Sequence, residues 1–250
     1  MTRISYQLYC SRNFPPLGDT LKMLAETGFK EVEGFGGLFD DLDGLKAGLD
    51  ATGLKMTSSH FGLDMVEDDA DKTIAIAKDL GIEKVIVPFL MPGDRPTDAA
   101  GWAAFGARLA EAGKPLQDAG LVFGWHNHDF EFKKNADGIV PIDYLLENVD
   151  PKLLNFQMDL YWVTKAEANP IAYFNKYPGR FKIWHVKDMD DKGRFAPVGK
   201  GTINFKNILD NKKLSGMKYY MVEQDMTFDG LKPLDAIKIS HDGIEEIGFK

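Results

Sequence analysis

Short apolar runs alternate with amphipathic stretches along the whole chain, and a glycine often marks the joint, at Gly28, Gly53, Gly81, Gly120 and Gly216. A glycine just past a helix takes the left-handed turn that ends it without steric cost. The run after each glycine reads as a strand. Eight strands are expected, at 4–10, 31–35, 55–60, 84–89, 121–126, 155–160, 182–185 and 219–223. Helical patterns lie between them at 66–80, 99–119, 142–148, 170–177 and 205–214, and one at 233–247 closes the chain. In the first of these, Val66, Ile74, Ala77 and Leu80 recur at helical spacing. Strands alternating with helices imply parallel βαβ units. Eight such units in 250 residues predict an α/β fold, a (β/α)8 TIM barrel forming one domain over residues 1–250. The competing layout is a doubly wound sheet, but no Gly-x-Gly-x-x-Gly follows the first strand.

Composition narrows the partners. A hydrophobic content of 44% and a charged content of 27% are ordinary for a soluble globular chain. The single cysteine, Cys10, cannot form an internal disulfide, which fits a reducing, cytoplasmic setting. A net charge of −8 lacks the basic footprint that nucleic-acid binding uses. No apolar run approaches the roughly 18 residues that would suggest a membrane span. The polar start Met-Thr-Arg-Ile-Ser does not read as a signal-peptide core.

In a barrel of this kind the chemistry sits at the C-terminal ends of the strands. His60, His126, His128 and His185 all fall there, as do Glu33, Asp159 and Glu223. His241, in the last helical pattern, reads as a surface residue. Imidazole nitrogens and carboxylate oxygens suit a divalent ion such as Mn²⁺, Zn²⁺, Fe²⁺ or Co²⁺. Lys187, two residues after His185, is a candidate for steadying a developing oxyanion; a salt bridge to Asp188 or Asp159 is its plain alternative. Glu131 just past the fifth strand reads as a ligand, a substrate contact or a solvated acid. Trp125 and Trp184 alternate with histidines and should face the helices. Trp162, three residues beyond Asp159, is expected to wall the pocket.

The ordered set Gln7-Leu8-Tyr9 with Arg12, His126-Asn-His-Asp-Phe-Glu-Phe132, Met158-Asp159-Leu160, His185-x-Lys187-Asp188 and Val222-Glu223 resembles the xylose isomerase-like TIM-barrel superfamily. Within it, the nearest branch is the one labelled sugar phosphate isomerase/epimerase. The resemblance covers nearly the whole chain. It implies a metal site built from the fifth to eighth strands, with Asp159, His185 and Glu223 matching three of its four positions. At the fourth, His126 stands where sugar epimerases carry a glutamate, as in the inosose dehydratase branch and enzymes of 3-keto sugars. The Gly199-Lys200-Gly201 stretch matches a family loop that reads either as a phosphate cradle or as a tight turn.

The first functional expectation is therefore a metal-dependent isomerase or epimerase of a sugar or keto-sugar, acting through an enediolate. The metal ligands would be His126, Asp159, His185 and Glu223, with manganese foremost and zinc, iron, cobalt or magnesium as alternatives. Glu223, Glu131 or His128 would move the proton and Lys187 would assist. Glu33, His60 and Trp162 are the expected substrate contacts, with Arg12, Phe61 and Arg95 in the specificity loops. A lyase or dehydratase would share the same first step. An endonuclease IV-like nuclease and a non-catalytic sugar-binding barrel are the remoter readings. The expected partner is a small sugar, with no nucleic acid or membrane and with a homo-oligomer as an option.

Overall fold

The computed structural model describes residues 4–12 and 16–249. Eight parallel strands close into a barrel: β1 Ser5–Gln7, β2 Glu31–Phe35, β3 Lys55–His60, β4 Lys84–Val87, β5 Val122–His126, β6 Asn155–Asp159, β7 Ile183–Val186 and, last in the ring, β10 Tyr219–Val222. Closure is made by β1 on β10, with Ser5 opposite Met221 and Tyr6 opposite Val222. Between β7 and β10 the chain adds a small antiparallel hairpin, β8 Asp188–Met189 and β9 Phe195–Ala196.

Helices cover the outside: α1 Leu17–Thr27, α2 Leu42–Thr52, α3 Leu63–Asp68, α4 Ala70–Leu80, α5 Ala99–Asp118, α6 Pro141–Asn148, α7 Leu160–Lys165, α8 Pro170–Lys176, α9 Phe205–Asp210, α10 Lys212–Ser215 and α11 Pro233–Ile247. None is long and apolar enough to cross a membrane, among the described residues. The five glycines at the joints all have positive φ, as their role in ending helices requires.

Several expected elements end earlier than the hydrophobic pattern suggests or are interrupted, and three of them have a local reason. The first strand stops at Gln7 because Gln7 Oε1 accepts from the Tyr9 amide at 2.9 Å and starts a 3₁₀ turn over Leu8–Ser11. The sixth stops at Asp159, whose Oδ1 accepts from the amides of Tyr161 and Trp162 at 2.8 and 3.1 Å and so caps α7. The helix expected over 66–80 is broken at Asp69, which caps α4 by accepting from the Lys72 amide at 2.9 Å.

Strand alternation sorts the side chains into two environments. Phe123, Trp125, Phe156, Met158 and Trp184 face outward into the main core under the helices. Trp125 meets Phe105 of α5 at 5.3 Å and Trp184 stacks on Phe174 of α8 at 5.2 Å. A smaller apolar cluster of Ile86, Ile183 and Met221 forms separately from that layer. Gly124 leaves the space that Ile86 fills, since a Cβ there would lie 2.8 Å from Ile86 Cδ1.

His241 departs from expectation. It is buried, packs edge-on against Phe29 at 5.1 Å and sits against Gly28, because α11 folds back over α1. The same helix carries Gly243, where a Cβ would come 2.0 Å from the Val198 carbonyl oxygen. Gly243→Ala should therefore lower the urea-unfolding free energy by about 1–3 kcal/mol through overpacking. Gly18→Ala in α1, with nothing within 4 Å of the new methyl, should raise it by about 0.5–1 kcal/mol.

Candidate metal centre

His126 ends β5, Asp159 ends β6, His185 lies on β7 and Glu223 follows β10. Parallel strands of one barrel bring these ends around one axis, and ligand atoms of all four residues lie within 4.8 Å of one another. His185 Nδ1 is 2.7 Å from Glu223 Oε2, and His126 Nε2 is 3.8 Å from Asp159 Oδ2. Lys187 Nζ reaches the same place, 3.2 Å from Asp159, 2.9 Å from Glu223 and 2.7 Å from Asp225. All but Asp225 are buried.

Beneath this set lies a layer of buried hydrogen bonds. Glu33 is its hub. It accepts from Gln7 at 2.8 Å, Ser58 at 2.6 Å, Gln157 at 2.7 Å and His185 Nε2 at 2.5 Å. The Gln157 Oε1 atom is 2.8 Å from His60 Nε2 and 2.9 Å from His126 Nδ1. Glu33 was expected to touch substrate; the structure instead places it fully buried below the cavity, because its strand neighbours Ser58 and Gln7 enclose it.

The cavity above has a volume of about 530 Å³. Its floor carries His60, His126, Lys187 and Glu223, and His128 joins the wall. Tyr9 and Arg12 come from the loop after β1, Phe35 from β2, Phe89 from after β4, Phe195 from β9, and Asp225 and Met226 from after β10. A larger concavity of about 670 Å³ lies at the opposite rim. Of its four lysines, Lys46 and Lys84 are paired with Asp79 and Glu83, and barrel chemistry belongs to the other end.

Other expected site residues fall elsewhere. Glu131 is buried and points away from the cavity: its carboxyl accepts from Trp125 Nε1 at 3.0 Å and from the His128 amide at 2.9 Å. It follows Trp125 to the helix side of the barrel and braces the 126–131 turn. Trp162 stands one layer behind the wall, 5.1 Å from the His128 ring, 5.9 Å from Phe195 and 5.3 Å from Lys187 Nζ. Phe61 is buried against Phe39, and Arg95 lies over Phe130 at 3.6 Å while donating to the Leu90 carbonyl. The glycines at 199 and 201 hold no free cradle. Their amides, with those of Met189 and Ile203, donate to the Asp188 carboxylate. That engagement also takes Asp188 away from Lys187.

Gln157 and Asp225 did not stand out in the sequence. Each is two residues from an expected ligand, Asp159 and Glu223. Period-2 alternation was the signal that could have found Gln157 on β6.

The charges respond to one another. Burial opposes ionisation of Glu33, but His60 and His185 overcome it and hold the carboxyl at about 2. Burial opposes charge on His185 as well, yet Glu223 and Glu33 on either side raise it to about 10. Lys187 is likewise held well above its ordinary value, against burial, by Asp159, Asp225 and Glu223. Burial and the neighbouring Glu223 raise Asp159 to about 7, with Lys187 opposing. Burial, then Lys187, lower His128 to about 3 and keep it neutral.

These residues fit a divalent cation. Two imidazole nitrogens and two carboxylates form a donor set suited to zinc, manganese or iron. Asp159 Oδ1 is used in capping α7, while its buried Oδ2 has no hydrogen-bond partner and faces His126 and Lys187. Ligation by His185 requires the Nδ1 proton to leave, and Glu33 is placed to keep the one on Nε2.

The family model for the xylose isomerase-like TIM barrel matches residues 21–236, and the chain belongs to that family. An inosose dehydratase of Clostridium beijerinckii is 24% identical, over 81% of this chain and 80% of its own. A sugar phosphate isomerase/epimerase of Parabacteroides distasonis superposes with a TM-score of 0.87 at 23% identity, over 100% of this chain and 96% of the other. The IOLI protein, whose structure carries a bound zinc atom, superposes with a TM-score of 0.79 at 14% identity, over 98% and 97% of the two chains.

The placement of Glu131 gives a pH test. Burial raises its carboxyl to about 8, so the folded chain keeps a proton that the unfolded chain releases above its ordinary range near 4.5. This contribution to stability is complete below about 4.5 and is lost as pH rises through 8. The unfolding free energy of the wild type relative to Glu131→Gln should fall between pH 5 and 8, by at most about 1.4 kcal/mol per pH unit. Urea titrations at several pH values measure it; a pH-independent difference would show that the group does not titrate in this way.

Proposed function

We propose that the chain is a divalent-metal-dependent isomerase or epimerase of an unphosphorylated sugar or keto-sugar. The observation that carries this is the convergence of His126, Asp159, His185 and Glu223 at one rim of the barrel, where His126 and Glu223 reach the floor of one cavity beside Lys187. A divalent ion held by those four, with manganese or zinc foremost, would polarise a carbonyl and the hydroxyl beside it, an effect worth several kcal/mol.

The chain's own groups supply the rest. Glu223 and His128 both reach the cavity and are the groups placed to move the proton α to the carbonyl. Of the two, Glu223 is the carboxylate beside both His185 and Lys187, and it takes the proton in this reading. Lys187 stays cationic and faces the negative charge that develops on the carbonyl oxygen. Tyr9, Phe35, Phe89 and Phe195 give the apolar walls that pack on the C–H faces of a sugar ring and exclude water. The use of the Gly199 and Gly201 amides by Asp188 argues against a phosphate on the substrate.

The second reading is a dehydratase, favoured by the inosose dehydratase relative. It shares the proton abstraction. Loss of a β-hydroxyl in place of reprotonation turns the same site into a lyase.

The test is a screen of inososes and unphosphorylated keto-sugars, with protein stripped of metal and then given Mn²⁺ or Zn²⁺, read by NMR in D₂O. In an epimer or isomer, deuterium should enter at the reprotonated carbon α to the carbonyl, whereas an enone forms by loss of that proton without replacement, so the product distinguishes the two. Glu223→Gln should lose about 10²–10⁴-fold in turnover while remaining folded. Near-normal turnover by that variant would remove Glu223 from the chemistry. An epimer or isomer formed with no deuterium at that carbon would count against proton abstraction.

A further inference from the structure

Gln157 is fully buried between three strands and joins residues that the proposed site uses. Its Nε2 donates to Glu33 Oε1 at 2.7 Å. Glu33 Oε1 also accepts from the Ser58 hydroxyl, and Oε2 takes donors from Gln7 and His185. Facing that ionised carboxylate, the amide can only present its NH₂, since its oxygen would meet an acceptor. The orientation of Gln157 is therefore fixed by chemistry, and Oε1 must point the other way.

That oxygen meets two imidazoles, His60 Nε2 at 2.8 Å and His126 Nδ1 at 2.9 Å. An amide oxygen accepts and never donates. Both of those nitrogens must therefore carry hydrogen. On His126 this leaves Nε2, the atom 3.8 Å from Asp159 Oδ2, as the nitrogen free to offer a lone pair. On His60 the remaining nitrogen, Nδ1, is already 3.3 Å from the Gln7 amide nitrogen, whose hydrogens it accepts. His60 thus has no nitrogen left over.

The choice matters because a second group of possible ligands, His60, His126 and His185, overlaps the first. We infer that Gln157 is a positioning residue that sorts the histidines, turning His126 Nε2 toward the metal site and keeping His60 out of the ligand set. This rests on the proposed metal centre, but the tautomers exist without metal and can be read in the metal-free protein.

The experiment uses full-length protein labelled with ¹⁵N-histidine, its signals assigned with His60→Gln and His126→Gln. Long-range ¹H–¹⁵N spectra of the metal-free wild type should show His126 protonated at Nδ1 and His60 at Nε2. Addition of Zn²⁺ should shift His126 Nε2 and leave both nitrogens of His60 in place. Gln157→Met, similar in length but without the amide, should blur the His126 tautomer and weaken Zn²⁺ binding by about 10–100-fold, the range for loss of a group that orients a ligand. A wild type with His126 protonated at Nε2, or with His60 moved by Zn²⁺, would overturn the inference without needing the variant to fold. So would unchanged affinity in Gln157→Met. If the wild type shows the expected tautomers but takes up no Zn²⁺ or Mn²⁺, the metal centre fails and the role of Gln157 in setting the tautomers stands.

Discussion

Buried charge on one rim of the barrel is the constraint on which the rest depends. Glu33, Asp159 and Glu223 are almost fully withdrawn from water, with Asp225 at their edge. Carboxylates there are costly unless cations and hydrogen-bond donors surround them. His185 lies between Glu33 and Glu223, and Lys187 touches Asp159, Glu223 and Asp225. The parallel strands hold these groups at fixed spacing, so the cluster cannot relax by moving apart. A site with excess carboxylate, two imidazoles and one lysine, closed to water from below, is suited to a cation and to charge developing on a bound carbonyl.

The outer layer and the rim serve different ends. Trp125, Trp184 and Phe174 fill the space between strands and helices, and Glu131 reaches into that same layer to satisfy an indole and a backbone amide. Its acid is thereby made part of the frame that sets the turn carrying His128. Asp188 plays a similar part on the other side. By gathering four amides it shapes the loop after the β8–β9 hairpin, from which Phe195 reaches the cavity. Two sequence features that resembled chemistry, an acid near histidines and a glycine pair, are both engaged in hydrogen bonds of the frame.

The alternation of short apolar runs with helical patterns and the recurring glycines were enough to predict a closed barrel, because each βαβ unit carries its own local signal. The same pattern placed His126, Asp159, His185 and Glu223 at strand ends, and barrel geometry then brings strand ends together. Chain order alone determined that much. It also determined which way Trp125 and Trp184 face, since they alternate with inward histidines.

What the sequence could not determine is which polar side chains share a neighbour across the ring. Glu33 and Gln157 are 124 residues apart, and His185 and Glu33 are 152 apart. Whether Glu33 meets substrate or supports His185 depends on how deep its strand sits in the closed ring. The burial of His241 likewise follows from α11 packing on α1, a contact between the two ends of the chain. Local periodicity specifies the direction of a side chain along its own strand or helix. The partner it finds there is specified by closure, because only the closed barrel brings atoms from distant strands within hydrogen-bond distance.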